Sequence, residues 1–95
     1  MREEEIRRLS DVCKANQVSR LVLFGSAARG DQTPSSDVDL IAELSDDASL
    51  LDMVRIEREF ARVLGKPVDL VTEASISPYI RERIEDDRLV IYEAV

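Results

Sequence analysis

Histidine is absent from this sequence, and cysteine occurs once, at Cys13. Without histidine there is no imidazole general base, no histidine-containing catalytic triad and no histidine-ligated zinc site. A single cysteine excludes an internal disulfide and a thiolate metal cluster, and its place on the apolar side of a predicted helix indicates a buried filler. Any catalysis must therefore depend on carboxylates, hydroxyls, lysine or arginine, and any metal should be a hard cation such as Mg²⁺.

Basic residues and long apolar runs are also scarce. The 95 residues include 13 Lys and Arg against 20 Asp and Glu, which gives a net charge of −7. Nucleic-acid binders usually carry a basic patch, so this balance argues against DNA or RNA as a direct partner. No run approaches the ~20 apolar residues that span a membrane, and the N-terminus lacks the features of a signal peptide. We expect one domain over residues 1–95, no membrane partner and a cytoplasmic location.

Hydrophobic periodicity predicts helices that alternate with short strands. Ser49 and Asp52 form a capping-box pattern at the start of the central helix, and Gly65 with Pro67 marks its end. A further helical turn is predicted directly after Ser26. The predicted helices cover residues 3–16, 49–64 and 77–84, and the predicted strands cover residues 18–24, 37–44, 68–72 and 88–92.

The strand–helix–strand order between residues 37 and 72 fits a crossover connection, which makes the second and third strands parallel. Both strands then begin at the same edge of the sheet, so Asp39 lies near Asp69. Alternation turns the apolar positions toward the helices: Val38, Leu40, Ala42, Leu44, Val68 and Leu70. It turns the acidic positions the other way: Asp37, Asp39 and Asp69. We predict a four-stranded mixed sheet of the α/β (α+β) class, with helices mainly on one face and three carboxylates converging on the other.

A polar loop leads from the first strand to these carboxylates. Gly25 begins the loop and lets the backbone approach a phosphate, while Ser26 offers a hydroxyl and an N–H at the start of a helical turn. Arg29 is placed to meet a phosphate oxygen. Each residue taken alone also fits a capped turn or a solvated loop, and only their joint spacing favours a nucleotide site.

Three carboxylates held together repel one another unless a cation joins them. Two Mg²⁺ ions about 4 Å apart can activate an attacking hydroxyl and stabilise the leaving oxygen of a displacement at phosphorus. Asp37 and Asp39 would hold the metals that bind a triphosphate. Asp69 would complete one metal site and orient or deprotonate the acceptor hydroxyl. Taken singly, each aspartate also fits a solvated strand end.

The run Phe24-Gly25-Ser26-Ala27-Ala28-Arg29-Gly30, followed by Ser36-Asp37-Val38-Asp39-Leu40, resembles the minimal nucleotidyltransferases of the DNA polymerase β-like superfamily. The resemblance implies a polymerase β-like nucleotidyltransferase fold and an enzyme that transfers a nucleoside monophosphate from a triphosphate to a hydroxyl with Mg²⁺. Asp37, Asp39 and Asp69 match the family's metal-binding carboxylates, and Gly25 with Ser26 matches its phosphate-binding motif. Arg29 and Ser36 stand in the matched flanks and are candidate nucleotide-binding residues.

At this length we expect no second domain for an elaborate acceptor, and we therefore expect the acceptor to bring its own binding surface. Free-standing proteins of this kind resemble the MntA-type antitoxins encoded beside HEPN-domain ribonuclease toxins. That resemblance implies an antitoxin that uses ATP to adenylylate (AMPylate) a hydroxyl of the HEPN toxin, expected to be a tyrosine. Two alternatives stay open: transfer to a small-molecule hydroxyl such as that of an aminoglycoside, and a non-catalytic antitoxin that inhibits its toxin by contact.

Overall fold

The computed structural model describes residues 1–25, 28, 30, 37–76 and 88–94. Within these residues the chain forms two α-helices, four β-strands and one 3-10 turn at Glu73–Ser75. The helices are α1 (Glu3–Ala15) and α2 (Leu50–Leu64), and the strands are β1 (Arg20–Phe24), β2 (Val38–Glu43), β3 (Val68–Thr72) and β4 (Leu89–Glu93). The predicted helix 77–84 and the predicted helical turn after Ser26 lie outside the described residues.

The four strands make one mixed sheet in the order β3-β2-β1-β4. β2 pairs with β3 in parallel, as the crossover through α2 predicts, and β1 runs antiparallel to both β2 and β4. The guanidinium of Arg20 joins three strands, since it forms ion pairs with Glu43 at 4.0 Å and with Glu93 at 3.4 Å. A further ion pair links Glu73 with Arg88.

Both helices pack on the same face of the sheet and enclose the apolar core. None of the described polar or charged residues is buried in this core. Cys13 is fully buried there, as predicted, and burial raises the pKa of its thiol to about 12, so the thiol stays protonated. The buried cluster combines residues of all the helices and strands: Leu9, Cys13, Val18, Leu21, Leu23, Val38, Leu40, Ala42, Ile56, Phe60, Leu70 and Ile91.

The turn after α1 corrects the predicted start of the first strand. Gln17 adopts a φ of 59°, and the N–H of Val18 donates to the carbonyl of Cys13 at 2.9 Å. The side chain of Val18 is buried, but its backbone belongs to the turn that ends α1 and not to the strand. β1 begins two residues later, at Arg20. The fourth strand is shifted by one residue, to Leu89–Glu93.

α2 begins and ends where the sequence predicts. The Ser49 hydroxyl accepts the N–H of Asp52 at 3.2 Å, and the Asp52 carboxylate accepts the N–H of Ser49 at 2.9 Å. Gly65 ends the helix in the left-handed conformation, with φ +66°, and donates its N–H to Ala61 at 2.8 Å. These contacts confirm the capping box and the glycine stop.

A side chain of α2 also reaches the edge of the sheet. The Glu57 carboxylate accepts the N–H of Leu70, in the edge strand β3, at 3.0 Å. This hydrogen bond fastens the helix layer to β3. Neither described helix has the length and apolar character that a bilayer crossing requires.

Candidate active site

Three aspartates and one glycine lie near one another where β1 ends and where β2 and β3 begin. We call this region the carboxylate edge, and it consists of Gly25, Asp37, Asp39 and Asp69. Asp39 is the direct partner of Asp69 in the parallel ladder and of Phe24 in the antiparallel ladder. Its neighbours Val38 and Leu40 are buried in the core, so the alternation of β2 turns the Asp39 side chain away from the helices. Asp69 lies on the same face, because partners in a ladder share a face.

Gly25 lies against the Asp39 carboxylate. It follows β1 with a φ of +73°, a conformation that L side chains rarely adopt. A Cβ at this position would stand 2.8 Å from Oδ2 of Asp39, closer than any ordinary contact. The position therefore requires glycine both for its backbone conformation and for the approach of the carboxylate.

The electrostatics of the carboxylate edge are unfavourable. Partial burial raises the pKa of Asp39, and the negative charges of Asp69 and Asp37 raise it further. Asp37 and Asp69 are exposed, whereas Asp39 is half-buried. The three acids are thus close enough to act on one another, and a cation placed among them would relieve the repulsion.

The donor set fits a hard divalent cation in its chemistry, since it consists of carboxylate oxygens, the ligands that Mg²⁺ prefers. Within the described part of the chain, however, no three acidic, histidine or cysteine side chains are gathered closely enough to hold a metal ion. Asp37 and Asp69 are exposed, so their side chains are free to change rotamer.

The structure brings together four of the predicted site residues and leaves three undescribed. Gly25, Asp39 and Asp69 are neighbours across the strands, and Asp37 acts on Asp39 through its charge. The other predicted residues lie outside the described residues: Ser26, Arg29 and Ser36.

The sequence predicts no role for Lys66, a basic residue close to the start of β3. Lys66 lies two residues before β3 and lines a cavity of about 360 Å³ together with Arg2 and Val38. Its position between Gly65, which ends α2, and Pro67 could have indicated in the sequence that Lys66 lies just before β3.

Comparison with known proteins identifies the family. The nucleotidyltransferase domain family matches residues 6–91 of this chain. A relative from Methanocaldococcus jannaschii, provisionally named a protein adenylyltransferase, is 41% identical over 78 residues, which make up 82% of this chain and 84% of the relative.

Solved structures share the fold. A structure described provisionally as a minimal nucleotidyltransferase is 29% identical, with a TM-score of 0.79, and the match covers 90% of this chain and 88% of that one. A chain from the complex of a tri-AMPylated HEPN toxin with an MNT antitoxin of Shewanella oneidensis is 18% identical, with a TM-score of 0.74, and the match covers 99% of this chain and 74% of that one. The predicted polymerase β-like class is confirmed, and this chain belongs to the nucleotidyltransferase domain family as a minimal nucleotidyltransferase enzyme.

Proposed function

We propose that this chain is the antitoxin of a HEPN-domain toxin in the cytoplasm, and that it transfers AMP from ATP to a tyrosine hydroxyl of that toxin with Mg²⁺. The observation that carries the proposal is the carboxylate edge, where Asp39 and Asp69 are ladder partners and Gly25 lies against Asp39. The name of the M. jannaschii relative supports a protein as acceptor, and the S. oneidensis complex supports a HEPN toxin as that protein.

The reaction is a displacement at the α-phosphorus of ATP. The acceptor oxygen forms a bond to this phosphorus, the bond to the oxygen that bridges the α- and β-phosphates breaks, and pyrophosphate leaves. The hydroxyl proton passes to a base, and Asp69 takes this role because its side chain is exposed and lies beside Asp39, on the face of the sheet away from α1 and α2. The reaction therefore requires no histidine, which agrees with the composition.

Asp37, Asp39 and Asp69 would hold Mg²⁺. When bound, Mg²⁺ neutralises the triphosphate and polarises the reacting phosphate. Asp39 is the fixed member of the set, because it is half-buried and held between Phe24 and Asp69 in the two ladders. Gly25 keeps the surface beside Asp39 free of a side chain, so the backbone can approach the phosphates. Ser26, Arg29 and Ser36 are assigned to the nucleotide on the basis of the sequence motif.

The partner supplies the acceptor and most of its own binding surface. A ribonuclease toxin that binds RNA is expected to carry positive charge, and this chain carries a net charge of −7. Opposite net charges steer the encounter of the two proteins. The charge difference is consistent with a basic protein as the acceptor.

The test is a transfer assay with the HEPN-domain protein encoded beside this chain. The purified pair is incubated with ATP and Mg²⁺, and the intact mass of the partner is measured. We expect a gain of one or more adenylyl groups, carried on tyrosine when the modified protein is mapped by fragmentation. The double variant Asp37→Asn with Asp39→Asn should lower the rate by at least about a hundredfold.

The matched control is Asp46→Asn with Asp47→Asn, which removes the same charge from the exposed turn after β2. This control should transfer AMP at the rate of the unmodified chain. No mass gain, or an undiminished gain with the Asp37 and Asp39 variant, would refute the proposal. Protection of cells by that variant without any mass gain would instead show an antitoxin that acts by contact.

A further inference from the structure

The solvent-facing side of α2 is unlike the rest of this acidic chain. At 3.6 residues per turn, the positions opposite the buried Ile56 and Phe60 fall on one stripe. We call it the outer stripe, and it consists of Leu51, Val54, Arg55, Arg58 and Arg62. These residues line a shallow groove of about 420 Å³ together with Glu59. The outer stripe therefore combines apolar and positively charged side chains.

The apolar part of the outer stripe lies in the first turns of the helix. Leu51 is 79% exposed and Val54 is 41% exposed, and the neighbouring Leu50 is 77% exposed. Leu50 also lines an adjacent cavity of about 590 Å³, whose walls include Leu44, Ala48 and Met53. Single exposed leucines are common on surfaces, but a cluster beside a cavity with an apolar wall is typical of a binding site.

The charged part follows along the same stripe. Arg58 and Arg62 are exposed, and within the described residues neither forms an ion pair. Arg55 is held by Asp52 at 3.5 Å and by the side chain of Asn16 at 3.2 Å. Arg55 is already paired with Asp52, and Glu59 lines the same groove, so Arg58 and Arg62 leave a local excess of one positive charge there on a chain whose net charge is −7. This region calls for a negatively charged occupant.

We propose that the outer stripe is the docking surface for an amphipathic, acidic helix of a partner protein. Its apolar side chains would cover Leu51 and Val54 and enter the cavity beside Leu50, and its carboxylates would meet Arg58 and Arg62. A nucleic acid would leave the apolar part uncovered. A second copy of this chain, docked through the same stripe, would bring no carboxylate to Arg58 and Arg62, because the outer stripe contains none.

The docking surface and the carboxylate edge lie on opposite sides of the sheet. α2 packs on the core face, and Asp39 and Asp69 are turned to the other face. A partner held on α2 therefore leaves the carboxylates open to substrate. The docking surface rests on its own geometry and charge, and it does not depend on the proposed function.

The test uses two synthetic helical peptides, both with leucines at i, i+3, i+4 and i+7, one with glutamates and one with lysines at its flanking positions. Titration of the full chain by fluorescence anisotropy should show that the glutamate peptide binds at least about tenfold more tightly than the lysine peptide. Arg58→Glu with Arg62→Glu should reverse this preference. Leu51→Ser with Val54→Ser should lower the affinity for the glutamate peptide about tenfold. Circular dichroism checks that each variant is folded.

The matched control is Arg7→Glu with Arg8→Glu, an equal charge change at exposed positions of α1, which should leave both affinities unchanged. No binding of the glutamate peptide at millimolar concentration, or equal binding of the two peptides, would overturn the proposal. So would homopolymeric RNA that binds through Arg58 and Arg62, or a dimer that Leu51→Ser with Val54→Ser dissociates. The titration contains no nucleotide, so it can succeed or fail independently of AMP transfer.

Discussion

Two aspartates, Asp39 and Asp52, occupy environments that shift the pKa of a carboxylate in opposite directions. Asp39 belongs to the carboxylate edge, where burial and the charges of Asp69 and Asp37 raise its pKa. Asp52 lies in the first turn of α2, where the hydrogen bond from the Ser49 backbone lowers its pKa. The cap stabilises the folded chain, whereas the carboxylate edge opposes it. Unfavourable electrostatics of this kind are expected where function requires them.

The largest expected effect separates the two regions by their response to Mg²⁺. If the carboxylate edge binds the ion, Mg²⁺ at a hundred times its dissociation constant raises the free energy of unfolding by about 2.7 kcal/mol. Urea unfolding followed by circular dichroism, with Mg²⁺ or with a chelator, measures this difference. Asp39→Asn should abolish it, and Asp52→Asn should not. An equal response of both variants would mean that the carboxylate edge is not the metal site.

A smaller effect distinguishes Gly25 from Gly65, since both have positive φ but different surroundings. A Cβ at Gly65 would meet nothing within 4 Å, whereas one at Gly25 would stand 2.8 Å from Oδ2 of Asp39. Gly65→Ala should lower the free energy of unfolding by about 1–2 kcal/mol through its backbone alone and leave AMP transfer intact.

Gly25→Ala should lower the free energy of unfolding by more than Gly65→Ala does in the same urea measurement. It should also slow AMP transfer, because the added Cβ forces the Asp39 carboxylate to move. Comparable losses of stability and activity in the two alanine variants would show that the contact with Asp39 is unimportant.

The smallest effect is a pair of opposite pH profiles, measured by unfolding in metal-free buffer. The pKa of Asp39 is raised in the folded chain above the ordinary aspartate pKa of about 3.9. The unmodified chain should therefore lose stability to unfolding relative to Asp39→Asn as the pH rises from about 3.9 through the pKa of Asp39 in the folded chain. The pKa of Asp52 is lowered in the folded chain, so the unmodified chain should be more stable to unfolding than Asp52→Asn above about pH 3.9. This extra stability should be lost as the pH falls through the pKa that Asp52 has in the folded chain. Two profiles with the same sign would remove the contrast between the regions.

Local signals in the sequence were enough to place the central part of the fold. Ser49 and Gly65 set the ends of α2 because capping depends on the few residues beside each end. The parallel pairing of β2 with β3, which makes Asp39 and Asp69 neighbours, followed from the strand–helix–strand order and its crossover connection. The helical spacing of Met53, Ile56, Phe60 and Leu64 also predicts the inner face of α2, and there Ile56 and Phe60 are buried while Met53 and Leu64 pack against the core.

Other features depend on contacts that the sequence does not display. Val18 reads as a strand residue because it is apolar, but its amide closes α1. The pairing of β1 with β4 joins distant parts of the chain and includes a bulge at Leu21 and Val22. The exposure of Leu51 was missed because burial depends on what packs outside a helix. At the carboxylate edge, periodicity predicted the faces of Asp39 and Asp69, but not the rotamers that decide whether they meet.

The hydrogen bond from Leu70 to Glu57 bears on aggregation. β3 is an edge strand, and edge strands with free backbone amides can add a strand from another molecule and start a growing assembly. At Leu70, a buried position of β3, the amide is already occupied by the Glu57 carboxylate. An incoming strand would have to displace that carboxylate before it could pair there. The sheet is thus protected against intermolecular growth along β3 by a side chain of its own helix layer.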